Sequence, residues 1–303
     1  MIDPEIAALV DLSRPPLTPA GIAERRANNR VVTDAELTRG GSVTFTEADA
    51  DGVPVLVLRP NGSAQGPPVL HLHGGGMVAG TRRSDLHVLA EWVSELGVVL
   101  VSPEYRLAPE HPHPAPVQDC YRTLTWMERN GFSSPVVAGT SAGGGLAAAV
   151  TLMARDYGGP EISGQLLICP MLDDRCSTPS SHQFLDGTTW VRDSNITGWT
   201  ALLGEARGGP DVSPFAAPAR ALDLSGLPAT YVDVGSVDVF RDEAVDYASR
   251  IWQAGGDAEL HVWPGGCHGF DQLAPEAALS RRARATRIAW LRSVTRHRRP
   301  PPT

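Results

Sequence analysis

One pentapeptide, Gly139-Thr140-Ser141-Ala142-Gly143, places a serine between two glycines in the pattern Gly-x-Ser-x-Gly. The pattern alone is weak, because about 0.2 matches are expected by chance at this glycine content. Its surroundings strengthen it, since a short apolar run (135–138) precedes the serine and an alanine-rich stretch (144–157) follows it. A strand, a sharp turn and a helix in this order expose a serine hydroxyl at a helix N-terminus, where negative charge is stabilised. Ser141 is therefore predicted to be a nucleophile.

A nucleophilic serine needs a base, and this arrangement favours the chain order serine, acid, histidine. Of the nine histidines, only His261, His268 and His297 lie far enough downstream. His261 falls within a predicted strand and His297 within the basic tail, whereas His268 lies in a loop after the last predicted strand. His268 is the predicted base, and a turn histidine without chemistry is the alternative.

Three aspartates compete for the role of the acid that orients this histidine. Asp233 lies within a predicted strand, and Asp242 is interpreted as a carboxylate that caps the next helix. Asp238 lies in the loop between them, from which its side chain can reach the histidine and stabilise the imidazolium. Asp238 is therefore the predicted acid.

A tetrahedral oxyanion needs backbone donors, and the string His73-Gly74-Gly75-Gly76 supplies candidates. Such a string is expected about 0.01 times by chance in a chain of this composition. Glycine residues have no side chain, so their amides can converge on one oxygen without steric obstruction. Gly75, Gly76 and the amide of Ala142 are the predicted donors. The alternative, a phosphate-binding glycine loop, lacks both its lysine and its glycine spacing.

The elements that must position these residues alternate along the chain. On either side of Asp51-Gly52, apolar and polar residues alternate, which predicts an antiparallel pair of strands. Later in the chain, short apolar runs predict buried parallel strands, and the amphipathic stretches between them predict helices. The fold class is therefore α/β with a doubly wound sheet. Residues 1–40 are polar and rich in proline, and are expected to be an appendage rather than core. Residues 175–227 contain no obvious strand and are predicted to form a lid, which leaves 41–174 and 228–303 as the catalytic domain.

Composition narrows the chemistry further. The chain of 303 residues contains no lysine, which excludes Schiff-base, pyridoxal-phosphate and P-loop chemistry. A net charge of −8 argues against nucleic acid as a partner, and a small neutral or cationic ligand fits it better. The cysteine spacings predict no metal site, and no apolar run is long enough for a signal peptide or a membrane span. These features predict a cytoplasmic protein that does not bind membranes.

The basic run around Arg284 and Arg287 is interpreted as a solvated helix face.

Taken together, these motifs resemble the bacterial hormone-sensitive-lipase family (family IV) of esterases, in its Gly-Thr-Ser-Ala-Gly subgroup, over about residues 40–295. The resemblance also includes Tyr105-Arg106-Leu107-Ala108-Pro109 and His268-Gly269-Phe270. It implies an α/β-hydrolase fold with a mostly parallel eight-stranded sheet, and a helical cap formed by residues 1–40 and 175–227. It also implies hydrolysis of short- to medium-chain acyl esters without metal or cofactor. The substrate pocket is expected to include Met77, Val239, Phe240 and Trp190.

Two other functions remain open from the sequence. The same triad could hydrolyse a lactone or an acetylated metabolite, and some relatives of the fold are non-catalytic ligand receptors. A receptor typically loses a triad member, whereas this chain retains all three together with the glycine donors. A small-molecule ester is thus the expected partner, and a homodimer is one alternative for the oligomeric state.

Overall fold

The computed structural model of the protein describes residues 1–296. His297, the terminal arginines and the end of the predicted catalytic domain (297–303) lie outside the described residues. The described chain contains eight strands: β1 Val43–Asp49, β2 Pro54–Pro60, β3 Val69–Leu72, β4 Leu100–Pro103, β5 Val136–Thr140, β6 Gly164–Ile168, β7 Thr230–Val237 and β8 Ala258–Cys267.

The strands form one sheet in the order β1-β2-β4-β3-β5-β6-β7-β8. Only β2 runs antiparallel to its neighbours β1 and β4, and all other neighbouring pairs are parallel. The predicted α/β-hydrolase fold class and the antiparallel start of the sheet are confirmed. β3, β4, β5 and β6 are buried along their whole length, as expected for parallel strands covered on both faces.

The helices of the described chain mostly follow the strands as crossovers or lie in the two segments outside the sheet. Their bounds are α1 Pro4–Leu9, α2 Ile22–Ala27, α3 Asp34–Thr38, α4 Leu86–Leu96, α5 Ala115–Arg129, α6 Ala142–Tyr157, α7 Pro179–Gln183, α8 Arg192–Leu203, α9 Arg241–Gln253, α10 Phe270–Leu273 and α11 Ala278–Arg296. α6 is buried over almost all its length, because it packs between the sheet and α5. No helix within residues 1–296 is both long and apolar enough to cross a bilayer.

The N-terminal segment is more firmly attached than its polar composition suggests. Ile6 of α1 is fully buried against Trp263 and Phe270, and Val32 and Leu37 belong to the main core. The expectation that this segment is an appendage rather than core is therefore wrong for these three side chains. α3, which carries Leu37, packs against β1 and α4.

The topology brings several loops to one edge of the sheet. The chain leaves β3 toward β4 on one side, and β5 then pairs on the other side of β3, so the strand order reverses there. Ligands of open α/β sheets bind outside the carboxyl ends of the strands at such a reversal. The segments that follow β3, β5, β7 and β8 begin near His73, Ser141, Asp238 and His268 respectively. The sheet thus collects residues far apart in sequence.

Candidate active site

Ser141 occupies a strained turn between β5 and α6. Its backbone has φ 58° and ψ −118°, a conformation that residues with a Cβ rarely adopt and that costs energy. The flanking glycines make the turn sterically feasible. A Cβ on Gly139 would lie 2.0 Å from the carbonyl oxygen of Gly143, and one on Gly143 would lie 2.0 Å from that of Leu72. The strain is maintained because the Ser141 amide donates to the carbonyl of Ile168 at 2.8 Å.

The three residues predicted as nucleophile, base and acid lie in contact with one another. Nε2 of His268 is 2.9 Å from Oγ of Ser141, and Nδ1 of His268 is 2.8 Å from Oδ2 of Asp238. Asp238 is fully buried, and its second carboxylate oxygen accepts from the Phe240 amide at 3.0 Å. When the imidazole is neutral, a proton on Nδ1 can be donated to Asp238, which leaves Nε2 facing Ser141 as an acceptor.

The protonation of His268 depends on two opposing effects. Burial disfavours the imidazolium, but the carboxylate of Asp238 outweighs it, so the pKa of His268 lies well above its usual value.

The imidazole of His268 is also held by packing. Phe240 packs edge-on against it at 5.1 Å between ring centroids, and the ring of Trp190 lies 6.2 Å away on a tilted plane. Thr189 donates to the carbonyl of His268 at 2.5 Å, which ties this loop to the segment between β6 and β7.

The other two aspartates considered for the acid have different partners. Asp233 is buried and paired through both carboxylate oxygens with Arg287, at 2.8 and 3.1 Å. Asp242 accepts from the amide of Ser180 at 2.6 Å. The interpretation of Asp242 as a cap of its own helix is therefore wrong, because it caps the start of α7 in the insertion.

The glycine loop after β3 is shaped by positive φ angles. Gly75 and Gly76 have φ 129° and 62°, and a Cβ on Gly75 would lie 2.0 Å from the carbonyl oxygen of Ala79. Within residues 1–296 no protein acceptor is found for the amides of Gly75 and Gly76. The amide of Ala142 opens α6, where the first helical N–H groups have no partner inside the helix. These three amides thus remain available to a ligand.

A partly buried carboxylate, which no sequence motif indicated, supports this loop. Oδ2 of Asp85 accepts from the amide of Gly74 at 3.2 Å and lies 3.7 Å from Nε2 of His71. Burial raises the pKa of Asp85 to about 6, although hydrogen bonds from Gly74, Gln272 and Thr140 oppose the shift. Asp85 follows the glycine string by nine residues and matches no catalytic spacing, so only its position in the fold identifies it.

A cavity of about 300 Å³ opens beside Ser141. It is lined by Ser141, His268 and Gly74 to Gly76, by Thr189 and Trp190, and by the N-terminal segment. Trp190 is thus placed as expected. Met77, Val239 and Phe240, expected in the pocket, do not line it. All three are buried in the main core, with at most 1% exposure, because they fill space behind the loops rather than facing the cavity.

One further side chain lies next to the triad. The ligand atoms of Cys169, Asp238 and His268 are all within 4.8 Å of one another, which is the only group of three metal-binding side chains found among the described residues. Cys169 is buried, and burial raises the pKa of its thiol, so the thiol stays protonated at neutral pH. Asp238 and His268 already bind each other at 2.8 Å, an arrangement that suits proton transfer from a serine.

Comparison with known proteins identifies the family of this chain. A family model described as the alpha/beta hydrolase fold matches residues 69–272. Carboxylesterase NlhH of Mycobacterium tuberculosis is 33% identical over 291 residues, which cover 90% of each chain. The solved structure of a bacterial heroin esterase has a TM-score of 0.88 and 38% identity, covering 97% of this chain and 98% of its own. An esterase from the bacterial hormone-sensitive lipase family has a TM-score of 0.80 and 28% identity, covering 97% and 99%. The family model and these relatives show that the chain belongs to the α/β-hydrolase family and, within it, to the hormone-sensitive-lipase group of carboxylic ester hydrolases.

Proposed function

We propose that this protein hydrolyses short- to medium-chain acyl esters through an acyl-enzyme formed on Ser141. The observation that carries the proposal is the continuous chain of contacts from Oγ of Ser141 to Nε2 of His268 and from Nδ1 of His268 to Asp238, at 2.9 and 2.8 Å. A nucleophile, a base and an orienting acid at hydrogen-bond distance are what acyl transfer requires.

In the first half of the reaction, Oγ of Ser141 attacks the acyl carbon while Nε2 of His268 removes the hydroxyl proton. The carbonyl oxygen becomes an oxyanion and accepts hydrogen bonds from the amides of Gly75, Gly76 and Ala142. The imidazolium, stabilised by Asp238, then donates its proton to the leaving alcohol oxygen. The alcohol departs and the acyl group remains as an ester of Ser141.

In the second half, water takes the place of the alcohol. His268 removes a proton from the water as its oxygen attacks the acyl carbon, and returns that proton to Oγ of Ser141 when the intermediate collapses. The products are a carboxylic acid and the regenerated enzyme. No step requires a metal or cofactor.

The substrate range follows from the cavity. At about 300 Å³ it lies at the lower end of the volumes of small-molecule sites, which suits a small ester better than a long-chain triacylglycerol. Trp190 restricts it from one side, since the ring lies close enough to Gly76 that a Cβ there would be 2.6 Å away. We assign residues 1–40 and 175–227 as the cap, because side chains from both segments line this cavity.

The test is hydrolysis of a series of nitrophenyl esters of increasing acyl length by the wild type and Ser141→Ala. We expect activity to be highest for short acyl chains and to fall by about 10⁴-fold or more in the variant. A fluorophosphonate probe should label the wild type alone. Activity retained by Ser141→Ala would contradict the proposal, and tight ligand binding without turnover or labelling would favour a receptor.

A further inference from the structure

The cavity beside Ser141 carries more positive charge than the protein as a whole. Three arginines of the N-terminal segment line it, Arg14, Arg25 and Arg30, although the chain has a net charge of −8. Apolar side chains, Leu9, Val10, Val32, Trp190 and Leu273, line it as well. The site therefore offers both an apolar surface and a cationic region to a ligand.

Arg25, on α2, differs from Arg26 and Arg30 in lacking a counter-ion within the described part of the chain. The adjacent Arg26 forms a double hydrogen bond with Glu110, and Arg30 pairs with Glu36. For the half-buried Arg25, no hydrogen-bond or ion-pair partner is found among residues 1–296. Burial lowers the pKa of Arg25, and the positive charge of Arg14 lowers it further. A partly desolvated cation beside a second cation is unfavourable without an anion.

The carboxylates that line the same cavity form no ion pair with Arg25 among the described residues. Asp11 is exposed, and one of its oxygens accepts from both the hydroxyl and the amide of Ser13, at 2.7 and 2.9 Å. These hydrogen bonds and the charge of Arg14 lower the pKa of Asp11, so its charge acts on Arg14. Asp85 lies beneath the glycine loop, where it accepts from the Gly74 amide. His87, which also lines the cavity, is uncharged at neutral pH because burial and the charge of Arg30 lower its pKa.

We propose that Arg25, together with Arg14, binds a carboxylate carried by the substrate, so that this enzyme prefers esters that bear an anionic group. A guanidinium presents two parallel N–H donors that match a carboxylate, and a charge-assisted pair of this kind is stronger than a neutral one. The carbon skeleton between the ester and the carboxylate would lie along the apolar lining. The inference rests on the proposed function, since it concerns the substrate of the same site.

The carboxylate can belong to either part of the ester, and two substrate pairs separate these cases. For the alcohol part, 4-acetoxybenzoate is compared with its methyl ester, and for the acyl part, monophenyl adipate is compared with phenyl methyl adipate. Within each pair the group remote from the reacting ester is a carboxylate in one member and its methyl ester in the other. The measured quantity is the ratio of kcat/KM for the anionic member to that for the neutral member, from release of the phenol.

In the wild type we expect this ratio to exceed about ten for one of the two substrate pairs, because a charge-assisted hydrogen bond between a guanidinium and a carboxylate typically contributes at least about this factor. It should decrease as the salt concentration rises, because ions screen the partly exposed guanidinium groups. In Arg25→Gln the ratio should fall by about tenfold, chiefly through KM, and Arg25→Lys should retain more of it than Arg25→Gln. Arg14→Gln should lower the ratio less, since Arg14 is exposed.

Arg129→Gln is the matched control, because it removes the same charge from a residue that does not line the cavity and pairs with Asp51. Its ratio should equal that of the wild type. A wild-type ratio at or below one in both pairs, or an unchanged ratio in Arg25→Gln, would overturn the inference. In either case, continued hydrolysis of the neutral esters would leave the proposed function intact, whereas loss of hydrolysis of every ester would contradict that function itself.

Discussion

Nδ1 of His268 lies 2.8 Å from Oδ2 of Asp238, across 30 residues of sequence and between the loops that follow two neighbouring parallel strands. The contact fixes the imidazole so that its other nitrogen faces Ser141. It also makes the protonation of the base depend on one buried carboxylate, which leads to the first prediction.

Asp238→Asn should change both the rate and its pH dependence. The base acts when neutral, and Asp238 raises the pKa of His268, so kcat/KM of the wild type falls on the acid side as the imidazole becomes protonated. Without the carboxylate that pKa decreases, and the acid limb should move to lower pH while maximal kcat drops by about 10⁴-fold. The measurement is kcat/KM from roughly pH 5 to 9.

The control for this variant is Asp246→Asn, which removes a mostly exposed carboxylate from α9. Its profile should match that of the wild type. An acid limb that stays at the same pH in Asp238→Asn would show that Asp238 does not set the protonation of His268.

Gly76→Ala should impair catalysis more than stability. The residue has φ 62°, and a Cβ would lie 2.6 Å from the ring of Trp190, so the loop must shift and its amide is displaced. Losing one oxyanion donor typically lowers kcat by about 10²- to 10³-fold. The measurement is kcat on a short-chain ester.

Gly158→Ala provides the comparison for Gly76→Ala, because Gly158 has φ 60° with open space around its Cβ position at the end of α6. It should cost about 1 kcal/mol of stability and leave kcat unchanged. Adding Trp190→Ala to Gly76→Ala removes the clash and should recover part of the rate. Equal losses of kcat in Gly76→Ala and Gly158→Ala would argue against a specific role of the loop.

Asp85→Asn should stabilise the protein at neutral pH but not in acid. In the folded state the pKa of Asp85 is raised to about 6 from 3.8, so the folded protein binds more protons than the unfolded chain between these values. Wild-type stability therefore decreases as the pH rises from about 4 to 6, by up to about 3 kcal/mol for this group. Asparagine carries no charge at any pH and avoids this loss.

The measurement for Asp85→Asn is the difference in Tm from the wild type, which should grow from about pH 4 to 7 and then remain constant. Asp34→Asn, which alters a mostly exposed carboxylate, should show little change. A difference in Tm that does not vary with pH would mean that Asp85 is charged in the folded protein throughout this range.

Arg287→Met should strongly destabilise the fold. Arg287 is 1% exposed and lies between the carboxylates of Asp233 and Asp271, both of which are also buried. Its removal leaves two buried acids without their cation, a change that typically costs about 3–5 kcal/mol. Urea unfolding measures the effect. Arg282→Met, at an exposed position of the same helix, should cost less than about 1 kcal/mol, and a similar small loss in Arg287→Met would contradict this account.

The basic run of α11 contains two arginines whose environment differs from the expected one. Interpretation of this run as a solvated face is wrong for Arg287, which is buried, and for Arg284, which pairs with Glu91 at 3.1 Å. Charged side chains predict exposure on average, but their partners here come from β7, α4 and α10. No local pattern in the sequence specifies such partners.

The sequence by itself determined the elements around Ser141, the glycine loop and the chain order of Asp238 and His268. These are local requirements, since a strained turn needs glycines at fixed offsets and parallel strands need continuous apolar runs. The tertiary structure determined which residues line the pocket. Its wall combines Trp190 with Arg25 and other side chains of the N-terminal segment, which no spacing connects, while Met77, Val239 and Phe240 are buried behind it. Which face of a loop meets a cavity depends on packing between distant segments. That packing also places Arg25 on the wall of the cavity with no counter-ion among residues 1–296.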